Sequence, residues 1–94
     1  MSDVLLALVD SKDADDRAEG TWLAGVSGNR RLAPALLVRL ESALVAQDAV
    51  LTAQLCRTLA KLGDRRAAPL LTEVASGERG VGQVDAIHAL GSIG

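Results

Sequence analysis

Apolar residues fall along this chain at helical spacing. Leu36, Leu37, Leu40 and Leu44 follow an i, i+1, i+4, i+8 pattern, with Ala33 and Ala43 widening the face. Leu51, Leu55, Leu59 and Leu62 make a second stripe, beside which lies Cys56. Leu70, Leu71, Val74 and Ala75 form a shorter one, and Val84, Ile87, Leu90 and Ile93 the last. Toward the N-terminus the pattern is looser, with one short helix over Val4 to Val9 and another over Ala14 to Val26. These stripes predict six helices in three antiparallel pairs, about 3–9 with 14–26, 31–46 with 49–62, and 66–76 with 81–93.

The pairs repeat. Gly28-Asn29-Arg30-Arg31-Leu32-Ala33-Pro34-Ala35-Leu36 returns 35 positions later as Gly63-Asp64-Arg65-Arg66-Ala67-Ala68-Pro69-Leu70-Leu71, identical at six of nine places. Leu59-Ala60-Lys61-Leu62-Gly63 returns as Leu90-Gly91-Ser92-Ile93-Gly94. A fainter copy, Leu23-Ala24-Gly25-Val26, needs one extra residue before Gly28. Each boundary has a physical meaning. Gly28, Gly63 and Gly94 stand where a helix must stop and reverse. Asn29 and Asp64 can accept from the free N–H groups of a new first turn, as can Asp48 ahead of Leu51. Pro34 and Pro69 lie near a first turn, where a missing N–H costs least. The expectation is one domain of three repeats, roughly 1–27, 28–62 and 63–94, forming an all-α solenoid. The longer spacing from Pro34 to Leu59 than from Pro69 to Leu90 predicts a middle pair about one turn longer than the last.

The repeated phrase, closed by Ala89-Leu90-Gly91-Ser92-Ile93-Gly94, resembles the short bacterial HEAT repeat, of the type also found in the phycobilisome lyase-like group. The resemblance covers residues 28–94, and 1–27 by extension. It implies a non-catalytic scaffold or adaptor; some members are chromophore-lyase subunits, and distant relatives bind DNA. Such repeats open their second helix with a Val-Arg pair whose arginine joins a ladder with a preceding aspartate. Here those positions read Leu51-Thr52 and Gly82-Gln83, so that ladder is expected to be absent.

Composition narrows the picture further. Hydrophobic residues make up 49% of 94, nearly all Ala, Val and Leu, with no Phe or Tyr and Trp22 as the one aromatic. Small aliphatic side chains suit close helix packing. A net charge of −2 gives no global pull toward nucleic acid or anionic membrane. The apolar run Val4 to Val9 is too short to span a bilayer, and Met1-Ser2-Asp3 lacks the basic start of a secretory signal. Ala- and Arg-rich usage, with eight Arg to two Lys, suggests a bacterial origin, and the lone Cys56 a reducing, cytoplasmic setting.

Candidate functional residues are few. Arg30, Arg31, Arg65 and Arg66 fall at one repeat position and form an arginine edge for phosphate, nucleic acid or an acidic surface. The plainer alternative is pairing with local acids such as Asp64. Trp22, aligned through the gapped copy with Thr58 and Ala89, could anchor an interface. Sealing the N-terminal pair as a core residue is the preferred reading. Gly77, Gly80 and Gly82 read as a turn, since neither the Walker nor the Rossmann phosphate-binding pattern is present. His88 is expected at the surface and Cys56 buried and inert. Asp10, Asp13, Asp15, Asp16 and Glu19 read as a helix start where acids suit the dipole. No nucleophile–base pair, metal set or cofactor motif stands out. The last helix spreads Val84, Ile87, Leu90 and Ile93, with Val81, over more than one stripe. Because solenoid ends need polar caps, that face is expected to meet a second copy, another protein or further repeats.

Overall fold

In the computed structural model, residues 2–93 are described, with side chains from Leu6 onward. Six α-helices follow one another: α1 (Ser2–Val9), α2 (Ala14–Ser27), α3 (Ala33–Val45), α4 (Ala49–Leu62), α5 (Ala68–Ala75) and α6 (Gln83–Ile93). Among the described residues there is no strand. Each helix packs on its sequence neighbour within a pair, and α4 packs on both α2 and α6. The result is two layers, α1–α3–α5 and α2–α4–α6, in a body of 33 × 26 × 16 Å. The α3–α4 pair is longer than α5–α6 in both members.

Local chemistry sets the boundaries. Gly28 and Gly63 end α2 and α4 at φ 66° and 65°, the left-handed conformation that a side chain disfavours. Asp13 accepts from the Asp15 and Asp16 backbone N–H groups and starts α2, while Asp48 accepts from Leu51 N at 3.1 Å and starts α4. Asn29 and Asp64 do cap, but what they cap is a single 3-10 turn, Arg30–Leu32 or Arg65–Ala67. The α-helices begin only at Ala33 and Ala68, which places Pro34 and Pro69 in their first turns.

The core follows the first three stripes legible in the sequence but not the last, whose Val84 and Ile87 are exposed. Leu36, Leu40 and Leu44 of α3 meet Leu55, Cys56 and Leu59 of α4, and Leu71 and Val74 of α5 continue the cluster. Small residues let the second layer close up: Thr21, Ala24, Thr58, Ala86 and Ala89 are all buried. The Thr58 hydroxyl donates to Thr21 O of α2, 2.8 Å away. Thr52, which takes the ladder arginine's place in the resembled repeat, is fully buried, and its hydroxyl has no partner among the described residues. In the first repeat the equivalent position is Arg17. Its guanidinium donates to the carbonyls of Ser11 and Lys12 at 3.0 and 3.1 Å and ties down the α1–α2 turn.

Cross-repeat clips are polar. Arg79, before α6, holds Glu41 of α3 at 2.6 Å and Glu73 of α5 at 3.1 Å. Gln47, at φ 56° in the α3–α4 turn, donates to Arg79 O at 2.8 Å. Gly77, Gly80 and Gly82 all take positive φ and shape the α5–α6 turn. Among the described residues no helix is long and apolar enough to cross a membrane.

Candidate functional site

The helix bounds reveal a simpler register than the gapped alignment. Capping residues Asp13 and Asp48, helices Ala14–Ser27 and Ala49–Leu62, and caps Gly28 and Gly63 all differ by the same 35 positions. No residue is inserted. Trp22 therefore corresponds to Arg57, and through the later repeat to His88, rather than to Thr58 and Ala89. Thr58 and Ala89 are buried, whereas Trp22, Arg57 and His88 are exposed. The core reading of Trp22 is thus corrected: the indole is 57% exposed. Small residues seal the N-terminal pair instead, with Gly20, Thr21, Ala24 and Gly25 buried.

Helical spacing now arranges the α2–α4–α6 face in rows. Trp22, Arg57 and His88 form one row, and Val26, Lys61 and Ser92, four residues on, form the next. Glu19, Gln54 and Asp85 form a third on the other side. Two shallow grooves run between the helices. One, of about 350 Å³, lies between α2 and α4 and is lined by Trp22, Ala18, Gln54, Arg57 and Lys61. The other, of about 500 Å³, lies between α4 and α6 and shares Arg57 and Lys61 with the first, adding Val84 and His88. Arg57 faces Asp85 at 3.7 Å, a loose pair with the arginine side chain 72% exposed. Lys61 is exposed and has no ion pair among the described residues. Arg57, Lys61 and Val26 were missed as candidates in the sequence; the ungapped register would have found them, because it sets Arg57 in the row of Trp22 and Lys61 beside Val26 in the next.

The arginine edge is divided in its work. Arg30 Nε donates to Leu62 O at 3.1 Å, capping the C-terminus of α4 from the neighbouring repeat. Arg66 forks onto Asp64, with Nη2 2.6 Å from Oδ2, and also reaches Arg30 O. Those two are structural. Arg31 and Arg65 remain exposed, with no ion pair among the described residues. Arg31 lacks the partner of Arg66 because Asn29 stands where Asp64 does.

The hydrogen bonds and charge of Arg66 hold the Asp64 carboxyl down to about 2, from an ordinary 3.8. A depressed carboxyl stabilises the fold above its unfolded value, and that contribution is lost as pH falls through about 2. Asp64→Asn keeps the cap, as Asn29 shows, but removes the titration. It is expected to flatten the loss of stability between about pH 4 and 2, followed by circular dichroism in fixed urea. An unchanged acid limb would refute this.

Cys56 is fully buried, and burial, with a smaller push from Asp85, raises its thiol to about 12. It is a neutral core side chain at physiological pH. His88 is exposed. The last helix does not offer one continuous apolar face. Leu90, Ile93 and Val81 pack partly into the core, while Val84 is 66% and Ile87 52% exposed. Val84 belongs to the α4–α6 groove. Gly94 lies outside the described residues. No family model, curated protein or solved structure matches the chain.

Proposed function

We propose that this chain is a non-catalytic protein-interaction module of HEAT-like repeats that binds its partner across the α2–α4–α6 face. The observation that carries the reading is Trp22. The only aromatic side chain in the sequence stands mostly exposed over a groove, where core burial would have been the cheaper use of it. Large rigid aromatics dominate binding energy when a partner desolvates them. Arg57 and Lys61 flank it as a polar rim, and the same groove wall continues to α6. Diversion of Arg30 and Arg66 to structural duty speaks against the turn arginines as a stand-alone phosphate or nucleic-acid site.

Selection of peptides from a random display library against the whole chain tests the reading. Selected binders are expected to lose about tenfold or more in affinity on Trp22→Ala and to be indifferent to Val45→Ala. Val45 is 75% exposed on α3, in the other layer, and serves as the control. Binders that ignore Trp22→Ala would overturn the proposal.

A further inference from the structure

We propose that the occupant of this face is an acidic polypeptide segment, with an apolar side chain in the Trp22 groove and carboxylates on the basic edge beyond it. This rests on the interaction reading above and adds the chemistry of the partner. The apolar contribution is Trp22 with Val26 one turn further along α2, 57% and 58% exposed.

From there toward the C-terminal ends of α2 and α4 the surface turns basic. Lys61 lines the Trp22 groove, and the next residue, Leu62, offers its carbonyl to Arg30 of the adjoining turn. Beyond the helix ends, the turns Gly28-Asn29-Arg30-Arg31 and Gly63-Asp64-Arg65-Arg66 carry four arginines and a single acid. Arg66 neutralises that acid, Asp64. Lys61, Arg31 and Arg65 are left as exposed cations without an ion pair among the described residues. The acids of the face lie on the other side of Trp22, in the row of Glu19 and Asp85. Charge on this face is therefore directional, and so is the segment that fits it.

The spacing follows from helix geometry. Gly28 is six residues beyond Trp22, or about 9 Å along α2 at 1.5 Å per residue. An extended chain covers that in about three residues. Carboxylates placed about three positions from an apolar anchor would meet Lys61 and the turn arginines. A polypeptide fits better than a single-stranded nucleic acid, which uses several aromatic platforms where this chain has one.

Trp22 is also the probe, because with no other Trp and no Tyr its emission reports on the groove alone. The titrants are a short peptide with a leucine followed about three residues on by a run of glutamates, the same peptide with lysines for glutamates, and a thymidine oligonucleotide. The glutamate peptide alone is expected to shift Trp22 emission, with affinity falling as salt rises. The double variant Lys61→Glu, Arg31→Glu is expected to weaken it about tenfold or more, with an unchanged circular dichroism spectrum. Equal binding of the lysine peptide, binding of the oligonucleotide alone, indifference to the charge reversal, or no shift with any titrant would each overturn the inference. Library binders that need Trp22 but carry no acids would sink this inference and leave the interaction module standing. Binders indifferent to Trp22 would sink both.

Discussion

Replacing Gly20 with alanine is expected to destabilise the protein by about 1–3 kcal/mol, against the trend of helix propensity. Gly20 lies inside α2, where glycine costs about 1 kcal/mol relative to alanine, so propensity alone predicts a gain. Packing reverses the sign. A Cβ at position 20 would come 2.5 Å from Leu8 Cβ and 2.8 Å from the backbone nitrogen of Val9. Backbone cannot swing aside as a long side chain can, so α1 must move off α2. Gly91, inside α6, has nothing within 4 Å of its would-be Cβ. There the propensity term stands alone, and Gly91→Ala is expected to stabilise by about 0.5–1 kcal/mol. Urea-unfolding midpoints of the two variants should move in opposite directions. A higher midpoint for Gly20→Ala would show that the α1–α2 approach is not tight.

Leu59→Ala is expected to cost about 3 kcal/mol. Leu59 is fully buried on α4, the helix that packs against α2, α3 and α6 at once, so its truncation leaves a cavity in the core. A chain of this length has roughly 0.05–0.15 kcal/mol of stability per residue, so the loss takes a large share of the total. Val50→Ala on the same helix, at a site 69% exposed, should change stability by no more than about 0.5 kcal/mol. The repeat supplies a sharper control. Leu90 holds the position of Leu59 one repeat later but is only partly buried. Leu90→Ala should therefore cost clearly less by the same urea measurement. An equal cost would mean that Leu90 is covered in solution, as the expectation of a partner on the last helix requires.

Sequence alone determined the helices, their pairing and most of the core. Those features are local or periodic: glycine stops at Gly28 and Gly63, carboxylates at Asp13 and Asp48, and leucines spaced for one helical face. Burial of the inner leucines follows from that spacing because one apolar face per helix is enough to turn them toward the other layer. The same logic foresaw the buried Cys56 and the exposed His88.

Only the tertiary structure decided which exposed residues stand together. The core reading of Trp22 rested on its small neighbours in the N-terminal pair. A one-residue gap in the faint first repeat aligned Trp22 with Thr58 and Ala89, a single step or about 100° away from the row it occupies. The actual caps fix an ungapped register and turn it outward, into a row with Arg57 and His88. Nor could spacing tell which arginines were spent. Arg30 and Arg66 find carbonyls and a carboxylate across a repeat boundary or within the turn, while Arg31 and Arg65 make no ion pair among the described residues. Such partners lie far apart in sequence or depend on side-chain reach, so periodicity carries no record of them. The pattern of apolar residues says which face of a helix is inside; which exposed residues stand together is set by how the helices stack.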